Sequence, residues 1–247
     1  MANGRRGAAH LRGGAVRHRA GCGVTTLRVD LHCHTHRSED SQLSFAGLKR
    51  ALEKRAIDVI AITDHNRIDG ALELADRWVT PRVIVGEEIR TIEGEIVGLF
   101  LTSFIPPRLS PEETLSEIRR QGGFVYVPHP FDRIRRSVLR ESALRRIAHA
   151  IDAVEVLNGR LHSSALNARA ADFARERHLL ATAGSDAHIG AEAGRVGLEM
   201  ESFTSREEFA RALVGARVFG SPSHPIVHVA SAFAKYRKRY LPGWRSI

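Results

Sequence analysis

The sequence predicts a single α/β domain built on a parallel sheet or barrel, and three observations carry that reading. From Leu27 onward, short β-branched runs alternate with amphipathic helical segments, the order that builds parallel sheets. Nearly every run closes on a histidine, an acid or an amide at its carboxyl end, and in a parallel barrel those ends share one face where sites assemble. No internal repeat and no mid-chain Gly/Ser or Pro linker interrupts the 247 residues, so one domain is expected rather than two.

Taken in order, the first run, L-R-V-D-L-H, leads into His32-Cys33-His34. Ser44 to Ala56 follows as a helix, with Phe45, Leu48, Leu52 and Ile57 near helical spacing. The second run, D-V-I-A-I-T, opens into Thr63-Asp64-His65-Asn66, and the third, R-V-I-V-G, into Gly86-Glu87-Glu88. The fourth, E-I-V-G-L-F-L, begins at Glu95 with no helix before it. Ser110-Pro111-Glu112-Glu113 is a capping box with proline at the first helical position, which predicts a helix to about Gln121. The fifth run, F-V-Y-V-P, precedes His129, and the sixth, A-V-E-V-L, precedes Asn158. Residues 162–178 read as a long helix. The seventh run, L-L-A-T-A-G, ends in Ser185-Asp186-Ala187-His188, Ser205 caps a further helix, and A-F-A-K-Y-R-K-R-Y reads as a basic surface helix.

Composition narrows the function classes. Hydrophobic residues at 43% and charged residues at 26% make an ordinary globular balance that excludes global disorder. No apolar run approaches the roughly 18–20 residues of a membrane helix, so no membrane partner is expected. Cys22 and Cys33 form no disulfide scaffold, and a reducing cytoplasm is the expected location. The net charge of +9 is uneven, because residues 1–29 hold six arginines and no acid and the remainder has 31 basic against 28 acidic residues. That remainder argues only weakly for nucleic acid. Residues 1–26 are expected to be a disordered basic tail, and 27–247 the folded domain.

The chemistry lies in the 13 histidines. A lone His-x-His says little, since roughly one arises by chance at this frequency. The recurrence of metal-capable residues at five strand ends says much more. A strand places His32 and His34 on one side and Cys33 on the other. Histidine and carboxylate donors together suit Zn²⁺, Mn²⁺ or Fe²⁺, and more than four of them exceed one tetrahedral site, so a multinuclear centre follows.

The ordered set H-C-H, S-E-D-S (38–41), T-D-H-N, G-E-E-I, P-H-P and G-S-D-A-H resembles the PHP (polymerase and histidinol phosphatase) family over about residues 27–240. The resemblance implies a distorted seven-stranded (β/α) TIM-like barrel, and a phosphoesterase using two or three divalent ions (Zn, Mn or Fe, with Mg as an option). It places His32, His34 and Asp186 at a first metal, Glu88 as a bridge to a second, His129 on the second, and Asp40, His65 and His188 on a third. One position departs, because many members carry histidine where this chain has Glu95, which is expected to ligate in its place. Strand alternation points Glu39 and Glu87 away from Asp40 and Glu88, so only one of each pair is taken as a ligand.

Around this set, Arg160 and Arg195 are candidate phosphate clamps, His36 a polar group near the cleft, and Asp64 either a turn residue or the orienting partner of a histidine. The expected substrate is a small phosphorylated molecule, a nucleotide or the end of a short nucleic acid. Two rivals are a metal amidohydrolase, which lacks its bridging lysine here, and a non-catalytic metal-binding module, which would have lost ligands. No G-x-x-x-x-G-K-[ST] or G-x-G-x-x-G nucleotide loop and no G-x-S-x-G serine-hydrolase motif occurs.

Overall fold

The computed structural model describes residues 25–225 and 227–240. The tail expected over residues 1–26 lies outside them up to residue 24, and Thr26 already belongs to the first strand. The chain order is β1 (Thr26–Asp30), α1 (Phe45–Lys54), β2 (Val59–Ile62), α2 (Asp69–Arg77), β3 (Arg82–Thr91), β4 (Gly94–Leu99), α3 (Pro111–Arg120), β5 (Phe124–Val127) and α4 (Glu141–Ile147). It continues through β6 (Ala153–Asn158), α5 (Ser164–Glu176), β7 (Leu180–Gly184), β8 (Val196–Glu201), α6 (Arg206–Val214), β9 (Arg217–Gly220) and α7 (Val227–Tyr240).

The helix starts follow from local chemistry. Ser44, Ser110, Ser163 and Ser205 each accept an N–H of the first turn, satisfying one of the orphan donors. At Ser110 the bond is reciprocated by Glu113, completing the capping box. The Ser163 cap starts α5 two residues later than the sequence reading placed it.

The strands form one nine-stranded sheet in the order β7-β6-β5-β4-β3-β2-β1-β8-β9. It is a nearly closed barrel. The extension of β1 meets the end of β7 through Leu31 N–H to Ala183 O (3.3 Å), Asp186 N–H to His32 O (2.7 Å) and His34 N–H to Ala187 O (2.9 Å). The expected strand count of seven is therefore corrected to nine. The additional pair is β8, antiparallel to β1, and β9, antiparallel to β8. V-G-L-E-M-E mixes helix-forming Leu, Glu and Met into a strand, and β9 is a mostly exposed edge, so neither announces itself. The sequence already set β4 apart as the run with no helix before it, and it runs antiparallel to both β3 and β5. With no crossover helix, a two-residue turn after β3 has to reverse the chain.

That reversal positions the site. Parallel strands deliver their carboxyl ends to one rim, whereas β4 delivers its first residues, including Glu95, to the same rim. The interior alternates accordingly. Val59, Ala61, Ile84, Val97, Leu99, Phe124 and Tyr126 fill the barrel, while Ile96, Val125 and Val127 face an outer core under the helices. At the opposite end, Phe209 of α6 meets Phe100, Phe124 and Phe203 at ring centroids 5.1–5.2 Å apart and closes the floor.

Barrel closure leaves no space at Gly184. A Cβ there would lie 2.3 Å from the His32 Cβ and 2.6 Å from its backbone nitrogen. Gly184→Ala is expected to cost about 3 kcal/mol, or roughly 6–12 °C in Tm. Thermal melting checks this, and an unchanged Tm would show that the β1–β7 seam is loose.

Candidate metal centre

All nine predicted donors converge at the rim. His32 and His34 sit on the β1 extension with Cys33 turned outward, fully buried against the α1 side. Glu88 faces inward from β3. Glu87 faces the other way and accepts the Ile105 N–H at 3.0 Å, with burial pushing its carboxyl up to about 8. His129 and Asp186 both occupy left-handed backbone, at φ 33° and 51°. For non-glycine residues this is strain that the surrounding structure has to impose, and it aims both side chains inward.

Glu88 is the hub. Its carboxylate oxygens lie 3.4 Å from His32 Nε2, 3.2 Å from His34 Nε2, 3.1 Å from His65 Nδ1 and 3.1 Å from His129 Nε2. Asp186 Oδ1 lies 3.3 Å from His34 Nε2 and 3.8 Å from His32 Nε2. Asp40, on the loop after His34, lies 3.4 Å from His65 Nε2 and 3.2 Å from His188 Nε2. Glu95 is buried, 3.6 Å from His65 Nδ1 and 3.9 Å from His129 Nε2. It is thus no solvated turn residue.

The donor set fits divalent cations. Four overlapping groups have ligand atoms within 4.8 Å of one another: His32/His34/Asp186, His32/Glu88/His129, His34/His65/His188 and His65/Glu88/Glu95. His32 Nε2 and His34 Nε2 face each other at 3.1 Å, and two lone pairs that close require a proton or a cation between them. Asp40 Oδ1, Asp186 Oδ1 and His65 Nδ1 are buried without a hydrogen-bond partner, a costly state that metal coordination relieves.

The electrostatics agree. Burial alone would raise Glu88, but His65 and His32 hold it well below the usual carboxylate range. Asp186 behaves alike, with Arg135 and His32 overriding burial. His65, despite burial, is held up at about 10 by Glu88 and Asp40. Burial carries His188 down to about 4 against the pull of Asp40. Glu88 and Asp186 are therefore ionised at neutral pH, the form in which they bind metals, whereas His65 has to give up its proton as an ion enters.

Supporting residues complete the site; of these, Glu155 and Asp30 carried no sequence signal of their own, whereas Ser38 opens the S-E-D-S motif. Glu155, the lone acid in the apolar β6 run, accepts the His129 N–H (2.7 Å) and an Asn158 amide N–H (2.8 Å) and lies 3.1 Å from His32 Nδ1. It thereby turns His32 Nε2 toward Glu88. Asp30 accepts N–H groups from His32, Ser185 and Gly194, tying the two seam strands together; burial pushes its carboxyl up to about 6. Ser38 Oγ accepts the His65 N–H and lies 3.2 Å from His34 Nδ1.

The two proposed phosphate clamps are corrected. Arg160 is buried, and its guanidinium is taken by Glu192 (2.7 and 3.2 Å), Val227 O and Ser231 Oγ. Arg195 is exposed beside Arg55, outside the cleft lining. Arg160 still lines the cleft, but with its guanidinium committed; the other cationic groups that line it with Asp40, His65, Glu95 and His188 are Arg90, Arg135 and Arg136. Arg135 pairs with Asp186 (2.5 Å) and Asp132 (3.2 Å). Asp64 takes the turn role, accepting both the N–H and the O–H of Thr35, and exposed His36 rests edge-on against Phe45 at 4.7 Å.

Comparison with known proteins places this geometry. Residues 165–218 match a family described as PHP-associated. A curated relative, an uncharacterized protein of Methanocaldococcus jannaschii, is 38% identical over 174 residues, covering 68% of each chain. The fold is similar to that of a two-domain protein containing a predicted PHP-like metal-dependent phosphoesterase from Bacteroides vulgatus. That likeness has a TM-score of 0.64 and 20% identity, over 87% of this chain and 70% of that one. The chain belongs to the PHP family. A further neighbour in fold is an amidohydrolase from Chromobacterium violaceum with bound sulfate and no metal. Its TM-score is 0.53 and its identity 18%, over 83% of this chain and 96% of that one. PHP membership, the barrel and the clustered histidine and glutamate donors together support a metal-dependent hydrolase. Among the described residues, no helix is long and apolar enough to cross a membrane.

Proposed function

We propose that this protein hydrolyses phosphate esters of small molecules at a multinuclear divalent-metal centre. The observation that carries the reading is Glu88, ionised and within 3.4 Å of four imidazoles at the rim of the barrel. His32, His34 and Asp186 would hold one ion, Glu88 and His129 a second with Glu95, and Asp40, His65 and His188 a third. Bound divalent ions would supply a water of lowered pKa and charge neutralisation at phosphorus.

The chain's own residues do the rest. Glu155 and Ser38 fix the imidazole orientations, so the donor atoms are aimed before anything binds. Arg135, held by Asp186 and Asp132, and the half-exposed Arg90 place positive charge beside the donors, where the oxygens of a phosphoryl group would lie. That cationic rim suits an anionic ester better than a neutral amide, which supports the phosphoesterase over the amidohydrolase reading.

The test is phosphate release from a panel of esters beside amides and lactones, with metal content measured on the same sample. Hydrolysis of an aryl phosphate that stops on chelation and returns with Mn²⁺ or Zn²⁺ is expected. Undiminished turnover by thoroughly demetallated protein would sink the mechanism.

Glu95 sets a second expectation. An oxygen donor and an added charge should tilt its site from zinc toward Mn²⁺, Fe²⁺ or Mg²⁺. Glu95→Gln keeps the shape and should weaken one ion about tenfold or more, while Glu95→His should restore occupancy with a shift toward zinc. Metal stoichiometry of the three proteins decides; full occupancy and unchanged preference in Glu95→Gln would remove Glu95 from the ligand set.

A further inference from the structure

Beside the cleft lies a second cavity of about 560 Å³, within the size range of small-molecule sites. The two share a wall made of Arg135 and Arg160, which line both. Beyond that wall the chemistry changes, because Ile134, Leu161, Leu166 and Pro225 give the second cavity a mostly apolar surface, although Asp132, Arg133, His162 and Ser163 also line it.

One turn serves both spaces. Phe131 anchors it in the outer core, packed on Phe173, and Asp132 braces it by accepting the Ile134 N–H at 2.8 Å and pairing with Arg135 at 3.2 Å. Arg135 then reaches Asp186 inside the cleft, while the neighbouring Ile134 stands 91% exposed over the second cavity. Together with Leu161, Leu166 and Pro225, Ile134 forms a contiguous apolar surface, the kind that marks a ligand-binding groove. Arg160 adds no net cation to the wall, because Glu192 neutralises it. Arg135 is likewise paired, with Asp186 and Asp132, but the cleft adds Arg90 and Arg136, so an anionic group is drawn to the cleft side and an apolar group to the other.

We infer that the substrate is a phosphate ester of a bulky, ring-sized apolar or aromatic alcohol, whose phosphoryl group lies in the cleft while its organic group fills this second cavity. The assignment rests on the phosphoesterase reading for the cleft, and extends it to substrate class. Ile134, Leu161, Leu166 and Pro225 are the specificity-determining surface.

The experiment measures binding and turnover separately on the full chain loaded with Mn²⁺. Calorimetry compares 1-naphthylphosphonate with methylphosphonate, neither of which can be hydrolysed as an ester, and kinetics compares 1-naphthyl phosphate with glycerol phosphate. The naphthyl probe is expected to bind at least about tenfold tighter, as burial of one ring system requires. Ile134→Ser and Leu166→Ser should each cut that preference about three- to tenfold and leave methylphosphonate binding unchanged. Ile134→Ser alters an exposed side chain, so it decides the matter if the half-buried Leu166→Ser fails to fold. Equal binding of the two phosphonates, no binding of either, or a preference untouched by Ile134→Ser overturns the inference, even if esters are hydrolysed. A discrimination lost in Ile134→Ser without turnover of any ester upholds the cavity assignment and refutes the hydrolase reading instead.

Discussion

Glu88→Gln is expected to strip the centre of most of its metal and to lower kcat/KM by about a thousandfold or more, equivalent to roughly 4 kcal/mol of transition-state stabilisation. The substitution barely changes shape. It replaces one oxygen of a carboxylate that lies 3.1–3.4 Å from His32, His34, His65 and His129 by an amide N–H₂. The charge at the hub disappears, and a donor now faces nitrogens that would carry lone pairs toward a cation. Removing metal from the wild-type protein should reproduce the kinetic loss. Circular dichroism should remain unchanged, since the barrel core beneath the site is apolar and untouched. The check is metal content by elemental analysis beside initial rates. A Glu88→Gln protein with full metal content and a rate within tenfold of wild type would falsify the central role of this carboxylate.

Glu192→Ala is expected to be among the most destabilising single changes, at about 3–5 kcal/mol, or roughly 6–20 °C in Tm. Glu192 is fully buried and Arg160 only 5% exposed. The carboxylate accepts Arg160 at 2.7 and 3.2 Å and also the N–H groups of His188 (2.9 Å) and Ile189 (3.2 Å). Truncation leaves a buried guanidinium without its counter-charge and frees the loop that carries Asp186 and His188, so activity should fall with stability. Replacing both partners, as Arg160→Met with Glu192→Leu, should recover much of the stability but not the loop position. The double-mutant cycle separates these effects. A loss below about 1 kcal/mol, the range of an exposed pair, would mean that Arg160 is not committed to Glu192. It would then be available to an anionic substrate, as the sequence reading first held.

Those two residues show how far a local pattern reaches. Glu88 was legible because the G-E-E-I step sits at the end of a β-branched run, where strand alternation lets only one acid of the pair turn inward and the family resemblance says which. The run, the alternation and the motif all use only neighbouring residues. The fate of Arg160 was not legible, because its partner lies 32 positions away. Arg135 reads as one arginine among several in D-R-I-R-R, and only the turn built by Phe131 and Asp132 directs it to Asp186. Glu155 looked like an ordinary acid in a strand, since nothing local records that His32 and His129 approach it from 123 and 26 positions away.

The amino-acid sequence by itself determined the α/β class, the serine-capped helix starts and the recurrence of metal-capable residues at strand ends, because burial period, capping and alternation are written into residues at most a few positions apart. The full set of nine donors came from the ordered motifs and the family they resemble. Only the tertiary structure decided that the sheet has nine strands and that β4 runs backwards, bringing Glu95 to the rim by its starting end. It also decided that β1 and β7 close the barrel through Gly184, and which arginine meets which carboxylate. The physical reason is range. A side chain's own preference for burial or hydrogen bonding is local, whereas strand neighbours and ion partners are selected by packing across the whole barrel, where one buried charge accepts one of many distant counter-charges.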